Sequence, residues 1–133
     1  MSSETDTSET SAIVPVSPET NAMVDSEMAG ESDDIRRETK ALIEAVKKRA
    51  QVEVQSANDF TREAYLKAVR QAREAIEENK LIDPERIEKS IELIQKEAEK
   101  NWQSVVTEAE SFGTRLSDAA KAAWNALMHP ESK

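Results

Sequence analysis

Cysteine is absent from the 133 residues, so neither a disulfide framework nor a thiolate metal site can be built. Glycine occurs twice and histidine once, which leaves no Gly-rich phosphate loop, no His-Glu-x-x-His motif and no histidine cluster. There is no nucleophile elbow. Aromatic residues number five, and hydrophobic residues make up 38%, below the roughly 45–50% of an average globular domain, so a large conventional core is not expected. No run approaches the ~18 apolar residues of a spanning helix, and a membrane role would have to be peripheral. The start Met-Ser-Ser-Glu-Thr-Asp has neither a basic nor an apolar signal region, which places the expected location in the cytoplasm, with a membrane surface as a second site.

Charge is abundant but unevenly placed. Residues 1–34 carry nine acids and no base, so the whole formal charge of -9 lies there. The remainder balances: residues 35–80 hold eleven bases and eight acids, and residues 81–133 hold seven bases and ten acids. Segments of opposite sign suit antiparallel neighbours, although exposed pairs contribute little singly. The Ser/Thr-rich acidic stretch buries too little to offset the entropy of ordering it, and residues 1–32 are expected to be a disordered tail. Within it, Ile13, Val14 and Val16 form a short apolar docking candidate, with Ser17-Pro18 beside it as a phosphorylation candidate. The acidic balance does not suit nucleic acid as a partner.

Two long apolar-periodic segments follow. Ser32, Asp33 and Asp34 supply a cap and negative charge before Ile35, and no Gly or Pro occurs from there to Asn79. Small and apolar residues recur at about eleven, as in Ile35-Val46-Ala57-Ala68, Thr39-Ala50-Thr61-Ala72 and Ile43-Val54-Tyr65-Ile76. That spacing gives about 3.67 residues per turn and predicts one nearly straight helix over 33–79, about 68 Å long at about 1.5 Å per residue. Asp83, Pro84 and Glu85 then form a helix start, with Ile82 and Ile87 spaced as a hydrophobic staple. A turn at 80–83 and a second helix over 84–128 follow from it.

The expected fold is all-α: a long antiparallel two-helix hairpin over 33–129, coiled-coil-like and hendecad-rich. Its expected core is Ile35, Ile43, Val46, Val54, Phe60, Tyr65, Ile76, Ile87, Ile91, Ile94, Trp102, Val105, Phe112 and Leu116. Folding about the turn sets Phe60 opposite Trp102, Ala50 near Phe112, and Thr39 near Ala123 or Trp124. Two helices bury only one stripe each, so dimerisation into a four-helix bundle is expected through Leu42, Leu66, Val69 and Val106. Gly113 marks a close contact or a hinge in the second helix, and His129-Pro130 ends it.

No catalytic, metal or cofactor site is expected, and the chain is not expected to be an enzyme. Carboxylate pairs such as Glu74 with Glu78 and Glu88 with Glu92 occur on any charged helix. Two surfaces stand out instead. Leu116, Ala120, Ala123, Trp124, Leu127 and Met128 make an apolar face for a partner or a lipid surface. Arg36, Arg37, Lys40, Lys47, Lys48 and Arg49 make a basic contact patch. The expected function is a non-enzymatic helical interaction or scaffold protein with a protein partner or self-association. The alternative is a peripheral protein that binds a lipid surface.

Overall fold

A computed structural model of the chain describes residues 16–80 and 82–128. Among them are six α-helices: α1 (Pro18–Glu27), α2 (Asp33–Ser56), α3 (Arg62–Asn79), α4 (Pro84–Lys100), α5 (Trp102–Phe112) and α6 (Leu116–Met128), with a 3₁₀ turn at Gly113–Arg115. The five longer helices, α2 to α6, pack as a compact all-α bundle, and α1 packs along α2. The elongated two-helix hairpin, and with it the coiled-coil reading, is therefore wrong.

The expected first helix is two. Ala57 ends α2, Asn58 turns left-handed at φ 57°, and two backbone bonds close the end: Asn58 N to Gln55 O (3.1 Å) and Asp59 N to Val54 O (2.9 Å). These are the bonds of a Schellman motif, in which Asn tolerates the left-handed position. Thr61 then caps α3, its Oγ1 accepting from Ala64 N at 3.2 Å. Hydrophobic rows that continue through Ala57 and Thr61 hid a stop and a start written in Asn58 and Thr61.

On either side of residue 81, which lies outside the described residues, α3 ends at Asn79 and α4 starts at Pro84. Lys80 adopts φ 56°, and Asp83 Oδ1 accepts from Glu85 N at 2.9 Å to start α4. Only the shorter helices α3 and α4 pack against each other here, in place of the expected 33–79 and 84–128 pair, and Phe60 does meet Trp102, with ring centroids 5.8 Å apart. The Tyr65 ring also packs on Trp102, with centroids 5.3 Å apart.

Beyond that the second helix also divides. Asn101, at φ -146° and ψ 52°, separates α4 from α5. Gly113 takes φ 55° and ψ -131°, a conformation open to glycine, and sends α6 back along α2. A side chain added at Gly113 would meet nothing within 4 Å, so its role is the turn and not a close approach. Val52 and Glu53 share a groove with Ser117 and Lys121, while Arg49 stacks on Trp124 at 4.1 Å, so α2 and α6 run antiparallel. The expected approach of Thr39 to Trp124 is thereby replaced.

The result makes α2 a hub. It contacts α1, α3, α4 and α6, and every residue from Leu42 to Lys48 is buried. In that enclosed stretch the charges of Glu44, Lys47 and Lys48 have no solvent face, while Arg37, Glu38, Arg49 and Glu53 elsewhere on α2 are exposed. The surfaces reserved for dimerisation are used within the chain: Leu42 and Val69 are buried and Leu66 and Val106 half-buried. Of the expected hairpin core, Ile35, Phe60, Trp102 and Phe112 are half-buried and the other ten residues are buried.

Part of the expected tail is also helical. Ser17 caps α1 by accepting from Thr20 N at 3.3 Å, and Pro18 occupies the first turn, where its missing N–H costs nothing. Val24, Met28 and Thr20 are buried. Composition alone undervalued the segment because the charges it faces on α2 and α4 supply what its own apolar area does not. Ile13, Val14 and His129-Pro130 lie outside the described residues.

Candidate functional site

The site most unlike an ordinary helical core lies between α1, α2, α4 and α5. Position 44 and positions 47 and 48 are one turn apart on α2, so Glu44 and Lys48 meet by i,i+4 spacing while Lys47 faces α4 and α5. Lys47 Nζ lies 2.9 Å from Glu97 Oε1 and 2.9 Å from Glu108 Oε1. Its side chain is 1% exposed. Lys48 pairs with Glu44 Oε1 and also sits 4.7 Å from the centre of the Phe112 ring.

α1 closes this network from above. Ser17 Oγ, Ser17 N and Thr20 Oγ1 all donate to Glu44 Oε2, at 2.9, 3.2 and 2.6 Å. Further along, Asp25 pairs with Lys40 at 2.9 Å and Glu27 with Lys96 at 2.6 Å. The pairings run backwards along α2 and α4, so α1 lies antiparallel to both in the groove between them. The start of α1 is thus held by a carboxylate, Glu44, and its later turns by two ammonium groups, Lys40 and Lys96.

Three carboxylates, Glu44, Glu97 and Glu108, share two ammoniums, Lys47 and Lys48, in this cluster. Burial pushes the Glu97 carboxyl up, and Lys47 offsets this only in part. Glu44 is also penalised by burial, but Lys48, Lys47 and the Thr20 hydroxyl outweigh it and hold the group below its ordinary value. For Lys47, burial works against the charge, and Glu108, Glu97 and Glu44 reverse it, so the ammonium persists above the usual lysine range. The Tyr65 hydroxyl is buried beside them, pushed far up by desolvation. It finds no hydrogen-bond partner among the described residues, and neither does the Gln51 amide.

Open space adjoins the cluster. A groove of about 630 Å³ runs between the start of α1 and α5, lined by Val16, Ser17, Pro18, Lys48, Glu108 and Phe112 among others. A second, of about 360 Å³, flanks the other side of α1 between Met23 and Lys100.

The surfaces anticipated from sequence are arranged differently. The face Leu116, Ala120, Ala123, Trp124, Leu127 and Met128 is turned to the bundle: Leu116, Ala120, Ala123 and Met128 are buried, Trp124 and Leu127 half-buried. The basic run is dispersed. Arg36 pairs with Asp33 and reaches Asp25 at 3.7 Å, Arg37 pairs with Asp34 at 2.9 Å, and Lys40 holds Asp25. Lys47 and Lys48 are internal, and Arg49 covers Trp124. Sequence reading missed Glu44, Glu97, Glu108, Ser17 and Thr20 as members of one site. The signal was weak: Lys47 and Lys48 stand between Val46 and Ala50 beside a third base, Arg49, and such a run spans more of the helix than one solvent face can hold once the helix is central.

No protein-family model matches the chain, and no curated protein and no solved structure matches it. Among the described residues no helix is long and apolar enough to cross a membrane.

Proposed function

We propose that the protein is a non-enzymatic interaction domain whose binding surface is the groove between α2 and α4, filled at rest by its own α1. The observation that carries this reading is the manner in which α1 is held. Its ten residues bury Thr20 and Val24, with Met28 just beyond, and its other anchors are polar or charged contacts to Glu44, Lys40 and Lys96. A short helix with so little apolar area is stable there through complementarity with the groove, and a similar helix from a partner can compete for it.

The expected partner is therefore a protein segment that forms a short acidic helix, with hydroxyl groups at its start and one aliphatic row. Charge complementarity guides such a partner and makes the association salt-sensitive. The lipid-surface alternative loses its support, because the apolar face of α6 lies against the bundle and the basic run is split between internal and surface pairs.

A fluorescent peptide covering residues 16–31, added in trans, tests the reading. A full-chain Val24→Asp variant, whose own helix is lifted, should bind the peptide at low salt and lose it as salt rises, while the unaltered chain binds it weakly. Absence of binding to the folded variant at low salt overturns the proposal.

A further inference from the structure

The same geometry gives Ser17 a second role. Of the four prolines in the chain, Pro18 is the one that follows a hydroxyl residue. We propose that Ser17 is a phosphorylation site for a proline-directed serine/threonine protein kinase, and that its phosphate releases α1 from the bundle. The release rests on the reading of α1 as a detachable helix, but it is observable without any partner.

The local backbone suits the modification. Pro18 pushes the preceding residue toward extended conformations, and Ser17 sits at φ -68° and ψ 153°. Ser17 is half-buried and lines the groove of about 630 Å³, so its hydroxyl becomes accessible when the first turn of α1 lifts. Thr20, one turn on, is fully buried and lacks a following proline. In the reaction Ser17 Oγ attacks the γ-phosphorus of ATP, the bond from that phosphorus to the bridging oxygen of ADP breaks, and the hydroxyl proton passes to a base of the kinase. ADP leaves, and a phosphomonoester with about -1.5 to -2 charges near pH 7 remains.

That product cannot make the contact it replaces. Ser17 Oγ now donates to Glu44 Oε2, 2.9 Å away, and a phosphate dianion has no proton to give. Glu44 is 0% exposed and already accepts from Ser17 N and Thr20 Oγ1. Among the described residues, the charged groups around the position are Glu44, Glu19, Glu108, Glu97, Lys47 and Lys48. Lys48 is committed to Glu44, and Lys47 to Glu97 and Glu108. Two ammoniums already face three buried carboxylates, so an added dianion meets like charge in a poorly solvated place. In the first turn Thr20 is held by the same Glu44, so both anchors of that turn share the carboxylate that the phosphate would repel. The remaining ties of α1, Val24, Met28, Asp25–Lys40 and Glu27–Lys96, lie beyond that turn.

The experiment treats the full chain with a proline-directed kinase and MgATP, locates the phosphate by mass spectrometry, and follows amide hydrogen exchange. Phosphate is expected on Ser17 and not on the Ser17→Ala variant. Exchange across residues 18–27 should accelerate about tenfold or more while α3 is unchanged, since helices open as separate cooperative units. In a folded Glu44→Gln variant, whose amide can donate to phosphate, the acceleration should largely disappear. No phosphate at Ser17, or α1 exchange that stays the same or slows in the phosphorylated chain, overturns the proposal. Release of α1 without trans-peptide binding would instead sink the groove reading and leave the modification standing.

Discussion

The α3–α4 pair and the central helix α2 solve the same packing problem in opposite ways. Between α3 and α4, aromatic and aliphatic side chains meet around a capped turn, with Phe60, Tyr65 and Trp102 clustered at the far end. Charges on α3 stay on the outer surface, as Arg73 with Glu77 does, whereas Glu97 near the end of α4 turns inward to the hub. α2 is enclosed by neighbours and carries Glu44, Lys47 and Lys48 into the interior. A pair of helices can hold its polar residues outside by rotation alone. The enclosed middle turns of α2 must satisfy them internally, and the partners found on α1, α4 and α5 then fix where those helices sit.

The largest expected effect tests whether Lys47 is the pin of that arrangement. Lys47→Met keeps the aliphatic bulk but leaves Glu97 and Glu108 without their shared cation. Removing one partner of a buried ion pair costs about 3–5 kcal/mol. Arg73→Met in the α3–α4 pair removes an exposed i,i+4 pair worth about 0.3–0.5 kcal/mol. Urea denaturation of the two variants should therefore give midpoints far apart. Similar midpoints would erase the contrast between the hub and the pair.

A smaller loss is expected where α6 is sent back to cover α2. Gly113→Ala forces a methyl-bearing residue to φ 55° and ψ -131°, at a cost of about 1–3 kcal/mol. Since no atom lies within 4 Å of the added carbon, the cost is conformational. A thermal melt of the variant measures it. An unchanged Tm would mean that the turn relaxes freely and that α6 is not held by it.

How far these features can be read from the sequence follows the same division. The start of α4 is legible because Asp83-Pro84-Glu85 makes its cap locally, and the Phe60–Trp102 contact follows from folding about that turn. The break between α2 and α3 is written in Asn58 and Thr61 but overwritten by rows of apolar residues that run on unbroken. Asn101 carries no comparable signal, because the end of α4 depends on where α5 must go to reach Lys47. The buried network is the least legible part. Glu44, Lys47 and Lys48 have the composition of a solvated helix face, and only the arrival of α1, α4 and α5 removes the solvent. Ser17 and Thr20 were readable as polar tail residues and become structural through a carboxylate more than twenty residues away.

The pH response of the hub sharpens the point, since its carboxylates shift in opposite directions. Glu97 is raised above its ordinary value of 4.5, so the folded chain keeps that proton to higher pH than the unfolded chain does. Its ionisation costs stability as pH rises through the folded value, and the cost is recovered on acidification. Glu44 is lowered, so its contribution is present above 4.5 and is lost as pH falls through the folded value. Stability should thus rise modestly as pH falls through the folded value of Glu97 toward 4.5, then fall as the pH drops further through the folded value of Glu44. Glu97→Gln removes the titrating group, and its denaturation free energy should lose the rise while keeping the acid fall. A rise that survives in this variant would point to the general repulsion of a chain with formal charge -9 in place of this carboxylate.

The smallest effect concerns the one aromatic of the α3–α4 core that reaches toward the hub. Tyr65 packs its ring on Trp102 and is 0% exposed, yet its hydroxyl has no hydrogen-bond partner among the described residues. A buried hydroxyl without a partner is a net cost, while the ring supplies apolar contact. Tyr65→Phe keeps the ring and removes the cost, so a gain of about 1 kcal/mol is expected in urea denaturation. The gain should persist in the Lys47→Met background if the hydroxyl is idle. A loss on Tyr65→Phe in the unaltered chain, vanishing in that background, would show instead that the hydroxyl serves Lys47. The boundary between the two packing solutions would then run through Tyr65 itself, and α3 would belong to the hub.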